Sequence, residues 1–122
     1  MILLGLNQCP CCRFYTLEER GIFDICRICW WEDDGQDDHN ADIVTGGPNG
    51  KYSLTVARTN FLDHGDMYAA DDGIEPVREP TPERQRLIEY VMKVVREEID
   101  LSEELLASLL TAEEAAGLAE QT

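Results

Sequence analysis

Positive charge is scarce in this sequence: 10 Lys and Arg stand against 25 Asp and Glu over 122 residues, a formal net charge of -15. Such a surface repels phosphate backbones and anionic membranes, which argues against nucleic-acid and membrane partners. Long apolar runs are missing too. No stretch approaches the roughly 20 apolar residues of a membrane span. Met1 to Leu6 has no basic start and leaves no room for an apolar signal core before Cys9, so no signal peptide is expected. The residues that enzymes need are also thin. Of the two histidines, His39 and His64, neither opens the His-x-Glu of a zinc deaminase. No Ser-His-Asp order and no Gly-rich phosphate loop is present. The expectation is a cytoplasmic protein that is not an enzyme.

Against these absences stand five cysteines, four of them in two Cys-x-x-Cys pairs, Cys9 with Cys12 and Cys26 with Cys29. In a reducing compartment clustered cysteines are metal ligands or redox groups more often than disulfides, and an odd count leaves one unpaired. The pairs are separated by 13 residues, Arg13 through Ile25, enough for a hairpin out and back that sets one knuckle beside the other. Each pair supplies an edge of a tetrahedron, so the four predict one structural Zn2+ in a closed site with no position left for substrate or activated water. Cys11 is the odd thiol, read as filler beside the ligands. Two alternatives compete. Buried unliganded thiols seldom come in two such pairs. A redox dithiol in Cys9-Pro10-Cys11-Cys12 needs a lowered thiol pKa at a helix start, which neither the second pair nor a two-strand reading provides.

The predicted fold class is α+β: a small zinc-ribbon-like β-hairpin module, then a short helix, then C-terminal amphipathic helices. Ile22-Phe23-Asp24-Ile25, after the Arg20-Gly21 turn, reads as a strand. Residues 32–50, rich in Asp and ending in Gly46-Gly47-Pro48-Asn49-Gly50, read as loop. Ser53 caps a helix with Leu54, Ala57, Arg58, Phe61 and Leu62 on one face, stopped by Gly65. Thr81 and Pro82 open a second helix with the stripe Leu87, Ile88, Val91, Val94, Val95 and Ile99. Ser102 caps a third, and Thr111-Ala112-Glu113-Glu114 has the capping-box pattern for a last short one. This divides the chain into a zinc-ribbon-like domain over 1–65, an extended connection over 66–80, and an acidic helical arm over 81–122 packed on the domain or on a partner. No basic residue follows Arg96.

Directly after the second knuckle comes Trp30-Trp31-Glu32-Asp33-Asp34-Gly35-Gln36-Asp37-Asp38. At least one tryptophan is expected to cover the knuckles as core. A calcium loop fails, because with Gly35 as the invariant glycine Trp30 would occupy the first ligand position. The acids are then a solvated loop or a contact surface for a basic partner, with Trp30, Glu32, Asp33, Asp34, Asp37 and Asp38 as the candidate partner-binding residues.

Several blocks together resemble the bacterial cysteine-rich CPCC domain family, named for the run seen here as Cys9-Pro10-Cys11-Cys12. They are Phe14-Tyr15-Thr16-Leu17, Cys26-x-x-Cys29 with Trp31-Glu32-Asp33-Asp34, Gly46-Gly47, Asn49-Gly50, Ser53-Leu54, Ala57-Arg58, Asn60-Phe61 and Pro80-Thr81-Pro82. The likeness spans about residues 9–82. Arg13 departs from it, standing where a Gly commonly follows the CPCC run. The resemblance implies a zinc-ribbon-like module without an established activity. Similar domains look like passengers of bacterial toxin and immunity loci. That implies an interaction protein, in its most specific form an immunity protein that binds and neutralises a basic toxin domain. The other readings are a zinc-ribbon adaptor of the transcription or translation machinery and a dithiol oxidoreductase.

Overall fold

The computed structural model describes residues 2–3, 5–72 and 80–121, with only the backbone at 2, 3 and 117–121. The fold class is α+β. The chain divides into two compact units, Met1–Asp72 and Gly73–Thr122. The expected connection over 66–80 lies outside the described residues from 73 to 79.

The first unit opens with three short antiparallel strands in sequential order: β1 (Ile2–Leu3), β2 (Leu6–Gln8) and β3 (Tyr15–Leu17). Gly5, at φ 77°, supplies the left-handed backbone that a two-residue hairpin loop requires. Between β2 and β3 the register shifts at Asn7/Gln8, and the first cysteine pair occupies their connection. The predicted strand at Ile22–Ile25 does not form. Phe23 has a left-handed backbone, φ 67°, which breaks extension, and only an isolated bridge joins Ile25 to Glu32. Asp24 instead turns its carboxylate on the end of β3, accepting from the Glu18 amide at 3.0 Å.

Helix α1 (Leu54–His64) starts where Ser53 accepts from the Val56 amide and ends on Gly65 at φ 95°. Leu54, Ala57 and Phe61 are buried, while Leu62 is exposed. With Leu17, Ile28, Trp31 and Met67, all fully or almost fully buried, they make the core of this unit. Residues 32–50 are not a free loop. Asp37 caps a short 3-10 turn in a reciprocal box with Asn40. The buried Gln36 amide donates to the carbonyls of Asn40 and Ile43. The Asn49 side chain pairs with both backbone groups of Glu32, at 3.0 and 2.7 Å.

The second unit is a helical hairpin of α2 (Pro82–Val95) and α3 (Glu103–Gln121). Leu87, Val91 and Leu106 are fully buried, flanked by Tyr90 and Met92. The Tyr90 hydroxyl accepts from the Ser102 amide at 2.8 Å, and Arg84 pairs with Glu113 at 3.6 Å. The predicted break at Thr111 is absent, because its hydroxyl donates to the Ala107 carbonyl at 2.9 Å and is satisfied inside the helix instead of capping a new one. Helix α2 ends earlier than its apolar stripe suggested. Glu97 donates to the Val94 carbonyl and Glu98 to the Lys93 carbonyl, at 3.0 and 2.9 Å, with Glu97 at φ 61°. That is a Schellman close with glutamate where glycine is preferred. Among the described residues no helix is long and apolar enough to cross a membrane.

A left-handed backbone costs a residue bearing a Cβ about 1–2 kcal/mol. Glu97→Gly is therefore expected to stabilise the hairpin by about 1 kcal/mol, read as a higher urea midpoint at unchanged slope. An equal or lower midpoint would contradict this reading of the helix end.

Candidate metal centre

Two turns of the same construction carry the cysteines. In the first, the Cys9 amide donates to the Phe14 carbonyl at 2.7 Å and the Arg13 amide returns to the Cys9 carbonyl at 2.9 Å. In the second, Cys26 donates to Trp31 and Trp30 returns to Cys26, both at 2.8 Å. Each turn aims a backbone amide at its first sulfur: Cys11 at the Cys9 Sγ and Ile28 at the Cys26 Sγ, both at 3.4 Å. Each also places its fifth residue in the left-handed region, Arg13 at φ 69° and Trp30 at φ 73°. Arg13 thus takes the glycine-like conformation itself, and the first knuckle keeps its turn.

Folding sets the two turns face to face. The Sγ atoms of Cys9 and Cys29 lie 3.6 Å apart, as do those of Cys12 and Cys26. All four sulfurs fall within 4.8 Å of one another in a buried group that could hold a metal ion. Four soft thiolates at a tetrahedron's corners are a donor set for zinc or iron, and four protein ligands complete such a sphere. Cys11 is buried but outside the group, and the exposed His39 and His64 also lie outside it. The His64 Nε2 lies 2.6 Å from the Tyr68 carbonyl instead.

Sequence reasoning gave no role to the residues that support the ligands. The Thr16 hydroxyl donates to the Cys26 Sγ at 2.9 Å. Arg58, on α1, donates through Nε to the Pro10 carbonyl at 2.8 Å, tying the helix to the first knuckle. Met67, just past α1, donates its amide to the Cys29 carbonyl at 2.9 Å and holds the second. Thr16 and Arg58 stand in the blocks that carried the family resemblance, but only the folded chain shows what they touch.

Burial drives the electrostatics of the sulfurs. Loss of solvent pushes the Cys9, Cys12 and Cys29 thiols well above the ordinary thiol value. The same desolvation opposes charge on Cys26, but hydrogen bonds from Cys12, Cys29, Cys9 and Thr16 outweigh it and hold that sulfur well below the usual range. Cys11 is drawn down by its hydrogen bond to Cys29, yet burial and the charges on Cys9 and Cys26 leave it raised.

The acidic stretch beside the second knuckle is largely turned on the protein's own arginines. Asp33 is fully buried, accepting from Arg20 Nε and the Gly21 amide, both at 2.7 Å. It faces inward, which removes it from the expected partner face. Asp34 accepts from the Gln36 amide and the Thr45 hydroxyl, and Asp37 pairs with Arg20 at 3.1 Å. Asp38 is exposed and joins Arg13 and Arg58 at 2.9 and 2.8 Å. Those two guanidinium hydrogen bonds hold its carboxyl below the usual range. Asp37 is also lowered, the bonds from the Asp38 amide and Arg20 outweighing its desolvation. Both pairings are complete above the ordinary carboxylate range and are lost as pH falls through the depressed folded values. Trp30 and Glu32 are partly exposed, and Trp31 is fully buried.

Among families of known proteins, the model described as Cysteine-rich CPCC matches residues 7–84, more than half of the chain. No curated protein and no solved structure matches.

Metal binding must displace protons from the three raised thiols, so affinity is expected to climb as pH rises and to be lost in acid. Replacing Cys9, Cys12, Cys26 or Cys29 by Ser should abolish the tetrahedral thiolate spectrum of the cobalt-loaded protein, whereas Cys11→Ser should keep it. Thr16→Val should weaken metal binding roughly 10-fold, and a spectrum that survives Cys26→Ser would overturn the site. Arg20→Ala leaves the Asp33 carboxylate buried without its cation. A loss on the order of 2–4 kcal/mol is expected in urea unfolding, against under about 1 kcal/mol for Arg13→Ala at its exposed pair.

Proposed function

We propose that this chain, which belongs to the cysteine-rich CPCC family, is a zinc-stabilised, non-enzymatic protein-interaction module. In its most specific form it is an immunity protein that binds and neutralises a basic toxin domain. The observation that carries the reading is the closure of the metal group by four buried sulfurs. Zinc fits it: a zinc–sulfur bond of about 2.3 Å gives a tetrahedron with edges near 3.8 Å, against sulfur separations of 3.6 Å across the two knuckles. When bound, the ion supplies folding energy to the first unit and polarises nothing, because no coordination position is left over. Thiolate ligands suit a reducing cytoplasm.

Function then rests on the surface, and the surface is acidic, within a formal charge of -15. Acids tied to arginine in the 32–38 stretch contribute less to it than their number suggests. The stretch from Glu97 into the first turn of α3 contributes more: Glu97, Glu98, Asp100, Glu103 and Glu104 are all exposed, with no Lys or Arg between 97 and 104. A basic protein meeting such a field is steered into encounter, while nucleic acid and anionic membrane are repelled. The toxin in particular comes from the family resemblance to passengers of toxin and immunity loci.

Three measurements test this. The purified chain should carry one zinc, and strong chelator should unfold Met1–Asp72. The protein encoded by the neighbouring gene should form a tight complex with it on co-expression and lose its toxicity. The association rate of that complex should fall roughly 10-fold or more between low and high salt, with dissociation little changed. A neighbour that neither binds nor is neutralised would sink the immunity reading. An association rate indifferent to salt would remove the electrostatic one.

A further inference from the structure

We infer that the loop between the knuckles, through Ile22, Phe23 and Ile25, is the anchor that this module inserts into an apolar pocket edged by Lys and Arg on a partner protein. The inference rests on the interaction reading above. Its starting point is a conflict in the loop. Three large apolar side chains in a span of four residues are more than half exposed, Ile22 at 53%, Phe23 at 55% and Ile25 at 56%. The first unit buries larger residues completely, Trp31 among them, so a core was available to it. The loop is nevertheless fixed where it stands. The Asp33 carboxylate holds Arg20 and the Gly21 amide at its start. Asp24 grips the Glu18 amide. The Phe23 amide donates to the Asp33 carbonyl, the Asp33 amide to the Asp24 carbonyl, both at 2.9 Å, and Ile25 bridges to Glu32.

The backbone sharpens the conflict. Phe23 is held at φ 67°, a region that a bulky residue enters only when the surroundings force it. Glycine would adopt it without strain. Phe23 is also left more than half exposed, so its burial stabilises the folded chain by only part of what a core phenylalanine contributes. A strained backbone that presents an exposed aromatic, on a loop pinned by two carboxylates, has the makings of a preorganised contact: a rigid aromatic loses little entropy on binding. Other exposed apolar residues, such as Ile43 and Val44, lack that strain.

The charge around the loop chooses the occupant. Glu18 and Glu19 are exposed on the same loop, and Glu32, partly exposed, stands across the bridge from Ile25. Arg20 is engaged by Asp33 and Asp37. With the partly exposed Arg27 set against Glu18, Glu19, Asp24 and Glu32, the rim stays acid-rich, and an apolar tip with such a rim fits an apolar pocket with a basic one. A second copy of this chain, itself at -15, presents the wrong sign.

Phe23→Gly separates the two roles of the residue, since it removes the ring and relieves the backbone together. The variant should unfold at an equal or higher urea midpoint. A phage-displayed library of random peptides, selected on the zinc-loaded chain, should enrich sequences that set Lys or Arg beside large apolar residues. Binding of those peptides should fall roughly 30-fold or more in Phe23→Gly, and likewise in the double variant Ile22→Ser, Ile25→Ser. Peptides that hold the Phe23→Gly chain as tightly as the parent, or no enrichment of basic and apolar sequences, would overturn the anchor. So would a dimer in sedimentation that Phe23→Gly dissolves, because the occupant would then be a second copy. The neighbouring gene's product distinguishes the two failures. If it binds parent and Phe23→Gly equally, the anchor fails and the interaction reading stands. If it binds neither, the immunity reading fails, and the peptide result decides the loop.

Discussion

Everything in the first unit depends on two backbone turns meeting sulfur to sulfur. Each turn is completed by its own hydrogen bonds, from Cys9 to Phe14 and from Cys26 to Trp31, so each can form locally. What neither can do alone is remove two thiols from water. Burial pushes three of the four thiols toward the protonated form, and a metal ion held by all four as thiolates would reverse that preference. The strands are too short to provide the order by themselves: two or three residues each, at or below the short end of the usual range. The helix reaches the site through a backbone carbonyl at each knuckle, Arg58 on Pro10 and Met67 on Cys29. Order therefore radiates from the sulfurs into the unit.

A second constraint is the chain's excess of acid. Thirteen or so like charges crowded in one small unit would oppose compaction. The fold answers by turning three of its guanidinium groups on the acids between 33 and 38. Arg20 serves Asp33 and Asp37, while Asp38 takes both Arg13 and Arg58. The bridges at Asp38 are exposed and individually weak. The Asp33 pair differs, because its carboxylate is out of solvent and Arg20 is the cation it pairs with among the described residues. Repulsion is thereby reduced where these acids crowd together.

The sequence carried the ligand set openly, because Cys-x-x-Cys spacing is a local property and the ligands need only local turns. Helix starts were legible for the same reason: Ser53 and Thr81 cap where a side-chain oxygen precedes a periodic apolar face. What failed were inferences that depend on partners distant in sequence. Ile22–Ile25 has the composition of a strand, but β3 pairs with β2 and leaves that segment to be pinned by Asp24 and Asp33. Asp33 looks like its acidic neighbours, and nothing local says that Arg20 will bury it. Thr111 satisfies both the capping pattern and the helix interior, and the continuous α3 chose the second.

The strained residues tie these strands of argument together. Arg13, Phe23, Trp30 and Glu97 occupy left-handed backbone without being glycine, each at about 1–2 kcal/mol. In the first unit the three fall on the knuckles or between them, where closure around a bound metal ion would offset the cost. Offset cost still requires a reason to keep the side chain. Arg13 has one in Asp38. Trp30 follows the second knuckle with its ring partly covered. Phe23 has no comparable internal employment, being exposed on a loop already fixed by others. Strain that the fold does not use internally is most economically explained by a use outside it.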